Sequence, residues 1–174
     1  MIPAVLFLSA VTAVLLELAF GTWGLFLPAL AILAFYGAVT YGWRAATVTA
    51  ILSATVLDVV LGHEHMSATL LMIPITGLAV PWRTHGTLHH TAVQVVIGFA
   101  VGLLYSAGLV VSESLLIEHW NWALVRHNAL LLLEAAALGA LLFPVLVLVL
   151  DGCGAVADLP TYRNAGTPGG RHGR

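Results

Sequence analysis

From Ile2 to Asp151 the sequence runs as successive apolar stretches of membrane-spanning length, with charge almost excluded from them. Charged residues make up 8% of the 174 and hydrophobic ones 60%. With a mean hydropathy of +1.01, that leaves room for roughly five to seven spans of about 20 residues each and little for a soluble domain. The chain therefore reads as an all-α integral membrane protein. Breaker and interface residues divide it into Ile2–Phe20, Gly24–Thr40, Ala45–Leu61, Ser67–Val80, His90–Val111 and His127–Leu150, a bundle of about six transmembrane helices. The fourth segment is short and carries Pro74, which removes a backbone hydrogen bond, so a kinked or re-entrant segment is expected there. Trp23, Trp43, Trp82, Trp120 and Trp122 all fall at segment ends, where an amphipathic indole prefers the headgroup layer.

Six spans place both termini on one side. Arg44, Arg83, Arg163, Arg171 and Arg174 share that side and only Arg126 lies opposite, so the positive-inside rule puts both termini in the cytoplasm. The start of the chain has no basic n-region and no clear cleavage site, so the first apolar run is expected to be a retained helix rather than a signal peptide. The organisation expected is a transmembrane domain over 1–157 and a disordered cytoplasmic tail over 158–174. Pro160, Thr167-Pro168-Gly169-Gly170 and scattered arginines give that tail too little apolar surface to order itself, and its arginines can meet anionic membrane lipid.

Composition excludes several classes of function. A net charge of −2 with no basic patch argues against nucleic acid. The single cysteine, Cys153, rules out an intramolecular disulfide and a thiolate metal cage. The chain lacks lysine, so it holds no phosphate-loop motif, and it has neither His-Glu-x-x-His nor Gly-x-Ser-x-Gly. Eight histidines invite a metal reading. His63 and His65 flank Glu64 in one outer turn, and His119 and His127 lie in the next, so a zinc or nickel site there demands the convergence of two loops. No ligand motif supports it, and no catalytic residue, metal or cofactor is assigned. His85, His89 and His90 sit with Arg83 at the expected cytoplasmic rim.

The sharpest local pattern lies in the third segment. Gly42, Ala46, Ala50, Ala54, Asp58 and Gly62 recur at every fourth position, a ridge of small side chains suited to close helix approach with an acid near its end. A carboxylate facing lipid costs roughly 2.5 to 3.5 kcal/mol, so Asp58 is expected to point inward with a partner. Glu17 and Glu134 lie in apolar segments on the same outer half, which points either to an outer polar pocket formed by Glu17, Asp58 and Glu134 or to acids that each reach the interface separately. Gly98 and Gly102, with Ser106, mark a second small-residue face, for packing within the bundle or against a partner.

Leu27-Pro28 leads into an apolar helix, Tyr41-Gly42-Trp43-Arg44 forms a basic turn, and a small-residue helix closes on Leu57-Asp58-Val59-Val60-Leu61-Gly62. About a third of the chain thus resembles the rod shape-determining protein MreD family, whose recurring features correspond here to Pro28, Arg44, Asp58 and Gly62. The sequence departs from the family pattern at Ala29 and at His65-Met66. The resemblance implies a non-enzymatic inner-membrane component of the bacterial cell-elongation machinery, docking an MreC-like protein, an MreB-like cytoskeleton and a peptidoglycan glycosyltransferase/transpeptidase pair. The alternative is the substrate-binding membrane subunit of an energy-coupling-factor vitamin transporter, similar in size and span count, in which the outer pocket with Trp120 would hold a small molecule. Such subunits present an Ala-x-x-x-Ala face on the first helix. No such pair occurs between Ile2 and Phe20, although Ala34 and Ala38 form one in the second.

Overall fold

The structure is a computed structural model that describes residues 2–62, 66–85, 90–114, 122–157 and 159–165. These form six α-helices, α1 (Ile2–Gly21), α2 (Ala29–Tyr41), α3 (Trp43–Leu61), α4 (Ser67–His85), α5 (Thr91–Ser114) and α6 (Trp122–Val156), followed by a single 3-10 turn at Tyr162–Asn164. No strand occurs among the described residues. Large apolar side chains such as Leu8, Leu52, Leu70, Val96, Leu133 and Leu148 lie on the outside. That is the arrangement hydrocarbon solvates and water does not. Four helices, α1, α3, α5 and α6, are long and apolar enough to cross a membrane, and the protein is membrane-embedded.

Three segments differ from the expected set of similar spans, the sixth by running as one helix of 35 residues, Trp122–Val156, in place of His127–Leu150. The second was expected over Gly24–Thr40, yet its helix begins only at Ala29. Thr22–Gly24 form a turn and Leu25–Pro28 run without regular structure. Thirteen residues rise only about 20 Å, less than the roughly 30 Å hydrocarbon layer. Every residue from Ala29 to Thr40 is buried, and α2 contacts α1, α3, α4, α5 and α6. It is the central post of the bundle, and its backbone ends are shielded by protein, where such ends are tolerated. The fourth segment is longer than expected: Ser67–His85 is one helix with Pro74 and Pro81 inside it.

The small residues are placed where backbones meet. Gly37 of α2 faces Leu6 of α1 and Ala46 of α3. The most extensive pairing joins α5 to α6 in antiparallel fashion. A Cβ on Gly98 would overlap the Gly139 carbonyl and one on Gly102 the Ala135 carbonyl, so the two backbones are in direct contact. Two glycines of the four-residue repeat act as turns instead. Gly42, the single residue between α2 and α3, has φ 105° and ψ 142°, and Gly62 ends α3 at φ 73° with its N–H donating to the Asp58 carbonyl. A side chain would strain both conformations.

Trp23, Trp43 and Trp122 sit exposed at helix ends as expected, whereas Trp82 lies within α4 and is half-buried. Trp120 lies outside the described residues, as do His63, Glu64, His65, His89 and His119. The expected disordered tail also changes at its start. Leu159–Ala165 folds back on the bundle and buries Tyr162 completely. Residues 166–174, with Arg171 and Arg174, lie outside the described residues.

Candidate functional site

Glu17, Asp58 and Asp151 do one thing in common: each accepts backbone N–H groups at the start of another element. A helix begins with amides that have no partner within it, and in a membrane each unmet amide costs several kcal/mol. The usual remedy is a Ser, Thr, Asp or Asn side chain at the cap position. Here α2 is preceded by Pro28 and has no side-chain cap, and α4 is preceded by Met66, which has no side-chain oxygen. The acids arrive from neighbouring helices. Glu17 of α1 accepts the Leu30 N–H at 2.7 Å. Asp58 of α3 accepts Ala68 N–H at 3.1 Å, Thr69 N–H at 2.9 Å and the Thr69 hydroxyl at 2.7 Å. Their acceptor oxygens also complement the positive end of the helix they meet.

Each acid terminates a buried stripe. On α3 the stripe is Ala46, Ala50, Ala54 and Asp58, and on α1 it is Leu6, Ala10, Ala13 and Val14 leading to Glu17. A third stripe on α6, Gly139, Phe143 and Val147, ends in Asp151. Asp151 accepts the Tyr36 hydroxyl at 2.8 Å, Tyr162 N–H at 2.7 Å and Arg163 N–H at 3.3 Å. It thereby starts the 3-10 turn and seats Tyr162, whose ring stacks on Tyr36 at 5.8 Å and meets Phe143 edge-on at 5.5 Å. Burial pushes the Tyr162 hydroxyl above the usual phenol range, partly offset by the Trp82 indole beside it.

The opposite end of the bundle, where α1, α3 and α5 finish and α2, α4 and α6 begin, holds a cavity of about 260 Å³. Glu17, Tyr105 and Ser106 supply its polar side chains, and Phe26, Leu57 and Leu109 are among its apolar walls. The Phe26 and Tyr105 rings stack at 5.8 Å. Ser106 donates its hydroxyl proton to the Gly102 carbonyl at 2.9 Å. Glu134 holds the Phe26 N–H at 3.1 Å, fixing the irregular stretch before α2 that forms part of the wall.

The expected three-acid pocket is therefore only partly assembled. Glu17 lines the cavity, Asp58 turns away to α4, and Glu134 acts on the wall from behind. Ala46, Ala50 and Ala54 are buried within the monomer, and Gly98 and Gly102 lie against α6. Among the described residues no three His, Cys, Asp or Glu side chains converge as a metal site would require. Sequence reasoning missed Asp151, Tyr36 and Tyr162. The signal was present, since Gly139, Phe143, Val147 and Asp151 repeat the four-residue spacing that singled out Asp58. Comparison with protein-family models, curated proteins and solved structures finds no match.

Proposed function

We propose that this chain is a non-enzymatic scaffold of the bacterial inner membrane, an MreD-like component of the cell-elongation machinery with both termini in the cytoplasm. The observation that carries the reading is the position of Asp58. The acid of the stretch that resembles the family holds the first turn of α4 through three hydrogen bonds and is 1% exposed. A carboxylate locked in this way fixes the relative position of two helices and is not presented to a substrate. The α3–α4 seam is reinforced by the Thr47–Thr76 hydroxyl pair at 2.8 Å and the Thr55–Thr69 pair at 3.3 Å. Hydroxyl pairs of this kind serve as polar glue between membrane helices.

In this reading the bundle offers a shape-stable apolar surface to the membrane segments of an MreC-like protein and of the peptidoglycan glycosyltransferase/transpeptidase pair, and its cytoplasmic rim faces an MreB-like filament. The small-residue ridges build the bundle, so partners meet exposed faces such as the one bearing Leu70 and Ile73 on α4.

The test is purification of the tagged chain from its native membrane in mild detergent, followed by mass spectrometry of what remains bound. Recovery of an MreC-like protein with elongation enzymes, reduced by Leu70→Trp with Ile73→Trp in a variant of unchanged melting temperature, supports the scaffold. Recovery of transporter ATPase subunits in their place overturns it.

A further inference from the structure

The cavity between α1, α3, α5 and α6 has a chemistry that the scaffold reading leaves unexplained. Its volume of about 260 Å³ lies just below the usual range of small-molecule pockets. Leu25 and Leu61, both exposed, mark its mouth at the end of the bundle. Its walls are mostly aliphatic, with the stacked Phe26 and Tyr105 rings on one side. A pocket that served only as a packing defect would be apolar throughout.

The polar side chains on the wall are unbalanced towards acceptors. Glu17 brings a carboxyl group whose oxygens accept from backbone at the start of α2, Leu30 N–H at 2.7 Å with Ala29 N–H beside it, and which keeps lone pairs for a further donor. Ser106 has already donated its proton to the Gly102 carbonyl, so it offers the cavity only lone pairs. Tyr105 is 1% exposed, and its phenol can donate or accept. An anionic or purely accepting guest would leave these groups worse off than water does, whereas a cationic donor matches them. An ammonium held there would also lie beside aromatic faces, which attract cations. We infer that the cavity is a binding site for a small apolar primary amine, its ammonium group against Glu17 and its body between Phe26, Leu57 and Leu109. The site does not depend on the scaffold role and stands or falls separately from it.

The experiment uses the full chain in lipid nanodiscs with two probes of equal shape, 2-phenylethylamine and 2-phenylethanol, measured by equilibrium dialysis. Glu17→Gln keeps an oxygen for the Leu30 N–H while removing the carboxyl that can ionise beside an ammonium, and Val110→Trp fills the cavity from α5. The expected result is saturable one-to-one binding of the amine, at least tenfold tighter than the alcohol. That preference should vanish in Glu17→Gln, and both probes should be lost in Val110→Trp. Non-saturable uptake of both probes, equal affinities in the wild-type protein, or an unchanged preference in Glu17→Gln would each overturn the proposal. The comparison of the two probes in the wild-type protein stands even where a variant fails to fold.

Discussion

Replacing Asp58 by alanine removes the acceptor for three donors, Ala68 N–H, Thr69 N–H and the Thr69 hydroxyl, at a site that is 1% exposed. Hydrogen bonds to a charged group contribute about 1.5 to 3 kcal/mol each, and loss of an ordinary cap costs about 0.5 to 2 kcal/mol. The three contacts share one carboxylate and are not additive, so the expected loss is about 3 to 5 kcal/mol, a large share of a typical total stability of 5 to 15 kcal/mol. Asparagine keeps one acceptor oxygen and should lose only about 1 to 2 kcal/mol. Reversible unfolding in mixed micelles, with SDS as denaturant and tryptophan fluorescence as the signal, measures both. Because the Thr69 hydroxyl is one of the donors, Thr69→Val should destabilise less in the Asp58→Ala background than in the wild type. An Asp58→Ala protein within about 0.5 kcal/mol of wild type would refute the reasoning, since two backbone amides left unmet at the start of a buried helix seam, Ala68 buried and Thr69 part-buried, cannot be that cheap.

Other outcomes follow from the same geometry. Gly98→Leu should lower stability by about 3 kcal/mol or more, because its Cβ meets the Gly139 backbone, while Gly77→Ala, in open space within α4, should raise it by up to about 1 kcal/mol; the same denaturation assay reads both. Tyr162→Ala should cost about 3 to 5 kcal/mol and make the segment after α6 sensitive to protease. The folded state holds the Tyr162 hydroxyl above its unfolded value of about 10, so its contribution is intact below pH 10 and fades as the pH rises beyond it; a pH titration of proteolysis at that segment, compared with Tyr162→Phe, checks this.

Most of the helical skeleton was legible because apolar runs and their breakers report directly on length and burial. All six segments appear as helices, four of them long and apolar enough to cross a membrane, and the ends of α1 and α3 fall within a residue or two of the expected positions. The short α2 was hidden because Leu25, Phe26 and Leu27 are as apolar as a helix interior. Hydropathy does not distinguish irregular chain held by Glu134 from a turn of helix. Asp58 was expected to point inward with a partner, but the local sequence does not name that partner. Two of the donors are backbone amides, which have no sequence signature, and the third is the hydroxyl of Thr69 on the next helix. Tyr162 was placed in a disordered tail because Pro160 and its polar surroundings dominate the local composition. The groups that seat it, Asp151 and Tyr36, are 11 and 126 residues away, respectively, and only tertiary structure joins them.

The central claim is that acids ending the buried stripes of α1, α3 and α6 supply the missing caps of their neighbours. Site-resolved amide hydrogen exchange on Glu17→Leu, Asp58→Ala and Asp151→Ala tests it most directly. Each variant should accelerate exchange chiefly in one place, at Leu30 for the first, at Ala68 and Thr69 for the second, and at Tyr162 and Arg163 for the third. Exchange that rises uniformly across the bundle, or stays unchanged at those amides, would contradict it.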